Sequence, residues 1–174
     1  MIRRAAVVVA LLAGAACAGK DREPEPTPKE LIKAARDAFD ESNFGIAEGL
    51  YRRLLESDPL PVPVAFLRLQ LGRCLLAREA YAYARLEFER VMADPFSPAA
   101  GDYGAWEDYG DLKPAAQAGI ARCFEAEGRW NEALDAYQLS RDKYPRIHWC
   151  GNCAHSLRQR TLDAIERCTA RLQK

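Results

Sequence analysis

Three stretches of the chain share one spacing of large and small apolar residues: an aromatic, an alanine three places on, and a second aromatic four places after that. They are Phe44, Ala47 and Tyr51; Tyr81, Ala84 and Phe88; and Trp130, Ala133 and Tyr137. Steps of three and four put each trio on one helical face, and the small central residue lets a neighbouring backbone approach between two bulky side chains. Twelve places before each alanine stands another small residue, Ala35, Gly72 or Ala121, inside a matching first helix. Downstream, Pro59, Pro95 and Pro145 stop the second helix, because proline removes a donor and clashes with the preceding turn. The pattern predicts three helix-turn-helix units at about 28–61, 65–98 and 114–147. Near the end, Cys153, Leu157, Thr161, Ile165, Cys168 and Leu172 recur at helical spacing, with Arg158, Gln159, Arg160, Glu166 and Arg167 mostly off that stripe. A final helix at about 152–172 is expected to pack on the last hairpin and cap it.

The aromatic–alanine–aromatic hairpins resemble the tetratricopeptide repeat family, whose unit is a helical hairpin of about 34 residues. The resemblance implies an all-α, TPR-like solenoid of three repeats with a C-terminal capping helix, spanning residues 29–174. The alanine anchors depart from the family period. About three residues are inserted at Leu60 to Val64 and about fifteen near Phe96 to Lys113. The longer insert carries Tyr103, Trp106 and Tyr109 as well as Phe96. It is either a contact surface or a cover for the ends of repeats two and three.

The start of the chain has a different character. Arg3 and Arg4 precede an uncharged run from Ala5 to Ala16, then Cys17. That is the order of a secretory signal, and at roughly 20 residues needed to span a bilayer the run is too short to be an anchor helix. Residues 11–17, Leu-Leu-Ala-Gly-Ala-Ala-Cys, resemble a bacterial lipobox, which implies cleavage within residues 1–17 and lipidation of Cys17. Gly14 departs from that pattern, and Ala16-Cys17-Ala18 also suits ordinary export, leaving a secreted or periplasmic protein as the alternative. Ala18, rather than Asp, implies an outer-membrane lipoprotein facing the periplasm. Residues 18–28 hold three prolines and alternating charges with no large apolar side chain, so they form an extended tether.

Composition narrows the function. With 174 residues, 25 basic and 25 acidic side chains and 49% apolar residues, the chain fits one modest domain and gives no electrostatic reason to expect nucleic acid. Arg36, Arg73 and Arg122 all stand eleven places before their alanine anchor. The resemblance implies that this position faces the groove, where guanidinium forks would suit carboxylates of a peptide or chain terminus. The same arginines could simply pack their stems along the helices.

The six cysteines divide among several roles. His148, Cys150, Cys153 and His155 crowd into eight residues, and three chemistries compete there: a structural disulfide between Cys150 and Cys153, a metal site, and a thiol-disulfide motif. Haem attachment fails, because position 154 is alanine. Cys153 and Cys168 lie fifteen residues apart on one helix, about 22 Å, and cannot bond to each other. Cys74 and Cys123, each following a groove arginine, read as packing thiols like Cys168. No nucleophile–base set or phosphate-cradling loop stands out. The expected function is therefore a non-enzymatic adaptor in the cell envelope, without cofactor or small-molecule substrate. It would bind a protein or peptide segment and meet the membrane through its N-terminal lipid. The alternative is an extracytoplasmic thiol-disulfide or metal-handling protein built on Cys150 and Cys153.

Overall fold

The computed structural model describes residues 25–58, 60, 62–95, 112–143 and 151–174, the side chains of 151–156 excepted. These residues form seven helices and no strand: α1 (Pro28–Asp40), α2 (Phe44–Leu55), α3 (Val64–Ala77), α4 (Tyr81–Ala93), α5 (Lys113–Ala126), α6 (Trp130–Lys143) and α7 (Gly151–Leu172). Each helix packs on its neighbours in sequence, α3 also touches α5, and α5 touches α7. The helices α1–α2, α3–α4 and α5–α6 are thus three consecutive hairpins, and α7 lies against the last of them.

Local chemistry sets the first boundary. Thr27 and Glu30 form a reciprocal capping box, with the Glu30 backbone N–H donating to Thr27 Oγ1 at 3.3 Å and the Thr27 N–H donating to Glu30 Oε2 at 2.7 Å. Pro28 fills the first helical position, where its missing donor costs nothing.

All three hairpins turn in the same way. Ser42, Glu79 and Gly128 have left-handed φ values of 63°, 63° and 73°. Their N–H groups donate to the carbonyls of Phe39, Leu76 and Glu125 at 3.0, 3.1 and 3.0 Å. The next N–H, of Asn43, Ala80 or Arg129, reaches back to Ala38, Leu75 or Phe124 at 2.8, 2.9 and 2.9 Å. This double closure satisfies the last carbonyls of the first helix. The carbonyls of Asn43, Ala80 and Arg129 then accept from the N–H groups of Ala47, Ala84 and Ala133 and so open the second helix. Glycine adopts the left-handed turn without strain, whereas Ser42 and Glu79 carry a Cβ there at a cost of about 1–2 kcal/mol.

The expected aromatic–alanine face is the packing face. Ala47, Ala84 and Ala133 have no exposed surface, and Tyr51, Phe88 and Tyr137 are buried at the centre of the hairpins, while Phe44, Tyr81 and Trp130 are half-buried at the turns. Phe88 sits between two glycines. A Cβ on Gly72 of α3 or Gly119 of α5 would come within 2.6 Å of its ring.

Ion pairs tie each hairpin to the next. Glu48 of α2 accepts from Arg78, at the end of α3, and from Arg52 at 2.9 Å on its own helix. One hairpin along, Arg85 of α4 donates to Glu127, at the end of α5, at 2.6 Å. The two links occupy equivalent positions in opposite polarity. A further buried acid, Glu87 of α4, accepts from Arg68 of α3 at 3.2 Å and from Arg90.

The buried stripe of α7 is shifted from the expected one. Thr161, Ala164 and Cys168 are buried, Leu157 and Ile165 are half-buried, and Leu172 is exposed. Leu172 is the last residue of α7, and the small Ala164, outside the expected stripe, faces inward. Ala164 and Cys168 join Ala121, Ala133, Ala136 and Tyr137 in a second, smaller core beside the main one, with Ile165 packed against it.

Candidate functional site

A cavity of about 730 Å³ opens where the turns of the three hairpins gather. Its position follows from the alternation of the chain: the C-terminal ends of α1, α3 and α5 and the N-terminal ends of α2 and α4 all lie at this edge. Arg73 and Arg122 line it together, with Phe39, Phe44, Tyr81 and Leu76 supplying apolar wall.

Arg73 is held from two sides. Its Nη1 donates to Gln70 Oε1 at 3.0 Å, and its Cζ lies 4.8 Å from the centroid of the Phe39 ring. Burial pushes its pKa below the usual arginine value, and the nearby Arg122 cation pushes the same way. Arginine keeps its charge regardless, so the shift reports a cation that is poorly solvated on its inner side although the residue is open to solvent on its outer side. Neither Arg73 nor Arg122 forms an ion pair within the described residues. Two adjacent guanidinium groups in such a setting favour an anion.

Arg36 stands apart from that pair. It is exposed on α1, its Cζ is 5.9 Å from the Phe66 ring centroid, and it does not line the cavity. The shared position in sequence puts all three arginines on the exposed face of a first helix, and the cavity gathers two of them.

Three carboxylates also border the cavity: Asp40, Glu79 and Glu125. Glu125 is engaged elsewhere, accepting from the Tyr137 hydroxyl at 2.7 Å and from Arg167 of α7 at 3.1 Å. Burial and that bond from its hydroxyl to Glu125 push the Tyr137 pKa up, so the phenol stays a donor. Asp40 and Glu79 are exposed and make no side-chain hydrogen bond or ion pair with a described residue. Reading the chain for repeated chemistry passed over both acids, because each is a departure from its hairpin position. Ala77 and Ala126 stand where Asp40 does, and Ser42 and Gly128 stand where Glu79 does.

The cysteine candidates divide. Cys17, His148 and Cys150 lie outside the described residues, as does the insert with Tyr103, Trp106 and Tyr109; Cys153 and His155 belong to α7, but their side chains lie outside them too. Cys74, Cys123 and Cys168 are buried free thiols. Burial pushes the Cys74 and Cys123 thiols up to about 12, which leaves almost no thiolate at neutral pH and makes them inert packing groups. No described helix is long and apolar enough to cross a membrane.

Comparison with known proteins returns neither a matching protein family nor a similar curated protein.

Proposed function

We propose that this chain is a non-enzymatic, extracytoplasmic adaptor, anchored by lipid at Cys17, whose hairpins form a TPR-like solenoid that holds an anionic protein segment at Arg73 and Arg122. The observation that carries this reading is the pairing of two guanidinium groups, neither of them in an ion pair among the described residues, in one aromatic-walled cavity. Three hairpins with the same turn and the same buried alanine support the repeat reading. The basic, apolar and cysteine segments of residues 3–17 support export and anchoring. In this reading the tether that precedes the Thr27 cap of α1 sets how far the cavity reaches from the bilayer.

Charge-assisted hydrogen bonds contribute about 1.5–3 kcal/mol each, so reversing one arginine costs at least tenfold in affinity. The test is fluorescence anisotropy with a capped, labelled peptide that carries Asp as its only charged residue type. Wild type is expected to bind it, and Arg73→Glu is expected to lose that binding at unchanged helical content. Equal binding by the two proteins sinks the proposal.

A further inference from the structure

Glu125 is the acid best placed to neutralise Arg122. Both line the cavity, three places apart on α5, a spacing at which opposite charges normally meet. Elsewhere in this chain they do meet: Glu132 takes Arg129 at 2.8 Å in the same order, and Glu87 takes Arg90 in the reverse one. The other places three or four away from Arg122 are Ala118, Gly119 and Ala126, so Glu125 is the one charged group within its helical reach. Yet no ion pair joins the two.

The carboxylate is held from the other side. Glu125 Oε2 accepts from the Tyr137 hydroxyl of α6 at 2.7 Å, while Arg167 of α7 donates through Nε to Oε1 at 3.1 Å and through Nη2 to Oε2 at 3.3 Å. A two-pronged arginine–carboxylate contact is stronger and more directional than a single bond. Aligned on the alanine anchors, the place of Glu125 is Phe39 in the first hairpin and Leu76 in the second. The acid at this place therefore falls in the hairpin against which α7 packs, and α7 brings the cation that engages it.

We infer that Arg167 is a positioning residue: it turns Glu125 away from Arg122 and so keeps the guanidinium pair of the cavity available to an anion. This rests on the adaptor reading above and adds the control of its site, which takes a carboxylate well only while α7 is docked. Without Arg167, Glu125 keeps one of its three bonds and is free to turn to Arg122. Arg129, four places on, lies beyond the end of α5 and is already engaged by Glu132 and Glu127. A Glu125–Arg122 pair would occupy half of the anion site and set a carboxylate against the incoming one. α7 has other holds on the third hairpin: Ala164 and Cys168 are buried with Tyr137, and the Arg171 Cζ lies 5.5 Å from the Trp130 ring centroid.

The experiment uses the full chain and the capped, labelled Asp peptide, with anisotropy for binding and circular dichroism to check helical content. Arg167→Met keeps the apolar stem and removes the donors; it is expected to weaken binding about threefold or more. Adding Glu125→Gln to Arg167→Met should restore the wild-type affinity, since the released side chain no longer carries charge. Arg171→Met removes the same charge one turn along α7 without touching Glu125, and it should bind as wild type does. Wild-type affinity in Arg167→Met, no recovery on adding Glu125→Gln, or an equal loss in Arg171→Met each overturns this inference, and the anion site stands as long as Arg73→Glu abolishes binding. If Arg73→Glu leaves the peptide bound as before, the adaptor reading fails and the role of Arg167 falls with it.

Discussion

The junction between the first and second hairpins and the junction between the second and third solve the same packing problem differently. At the first, residues 56–63 join α2 to α3, Tyr51 fills the interior, and Glu48 reaches to Arg78. At the second, residues 94–112 join α4 to α5, Phe88 fills the interior between Gly72 and Gly119, and Arg85 reaches to Glu127. The longer connection costs only about 0.8 kcal/mol more in closure entropy. Packing, which is larger than that, must therefore locate the third hairpin. Gly119 is the sign of it: glycine in a helix interior costs about 1 kcal/mol relative to alanine, and here it admits the Phe88 ring at a distance no Cβ would tolerate. The corresponding residue of α3 is Gln70, so the first junction has no glycine at that place.

Removing the ring is the most severe way to test this difference. Phe88→Ala should cost about 3–5 kcal/mol in urea unfolding, since it empties a fully buried aromatic site. Gly119→Ala should cost about 1–3 kcal/mol by forcing the ring aside, despite the higher helix propensity of alanine. Gln70→Ala, at the matching place, should cost under about 1 kcal/mol. A neutral Gly119→Ala would show that the second junction is no tighter than the first.

The reversed ion pairs give the next contrast. If the first hairpin stacked directly on the third, Glu48 would meet Glu127 and the carboxylates would repel, so opposite polarity lets each junction accept its own neighbour. Glu127→Arg alone places a cation before Arg85 and should destabilise by about 1 kcal/mol. Adding Arg85→Glu should restore at least half of that, read as a coupling energy in a double-mutant cycle. Strictly additive effects would deny the link any role in pairing.

Acid sensitivity is the smallest expected effect. Burial works to raise the Glu48 pKa, but the bonds from Arg78 and Arg52 together outweigh it and hold the carboxyl below its ordinary 4.5. A carboxyl depressed by folding contributes stability that is present above the unfolded value and lost as pH falls through the folded one. Thermal melts from pH 6 to pH 3 should therefore show Glu48→Gln less stable than wild type by a few tenths to about 1 kcal/mol near neutrality. The gap should close below pH 4.5. A gap that persists at pH 3 would assign the loss to packing.

Much of this architecture could be read along the chain. The alanine anchors, their flanking aromatics and the upstream Ala35, Gly72 and Ala121 mark the packing faces because helical period and side-chain size are local properties. The shared position of Arg36, Arg73 and Arg122 is equally plain, whereas their exposure on the first helices is a finding of the structure. Which arginines meet was not, since that depends on how the hairpins are set against one another. The links Glu48–Arg78 and Arg85–Glu127 join residues 30 and 42 apart. They become visible only when positions one after each anchor are compared with positions six before the next.

The sequence by itself determined the helices, their small and large contact residues and the capping box at Thr27, because each depends on residues within a few places of one another. Tertiary structure alone decided that Phe88 lies against Gly119, that Arg73 and Arg122 share a cavity from which Arg36 is absent, and that Asp40 and Glu79 border it. Those are distances between helices, and no local propensity encodes them; they follow from the packing of whole hairpins.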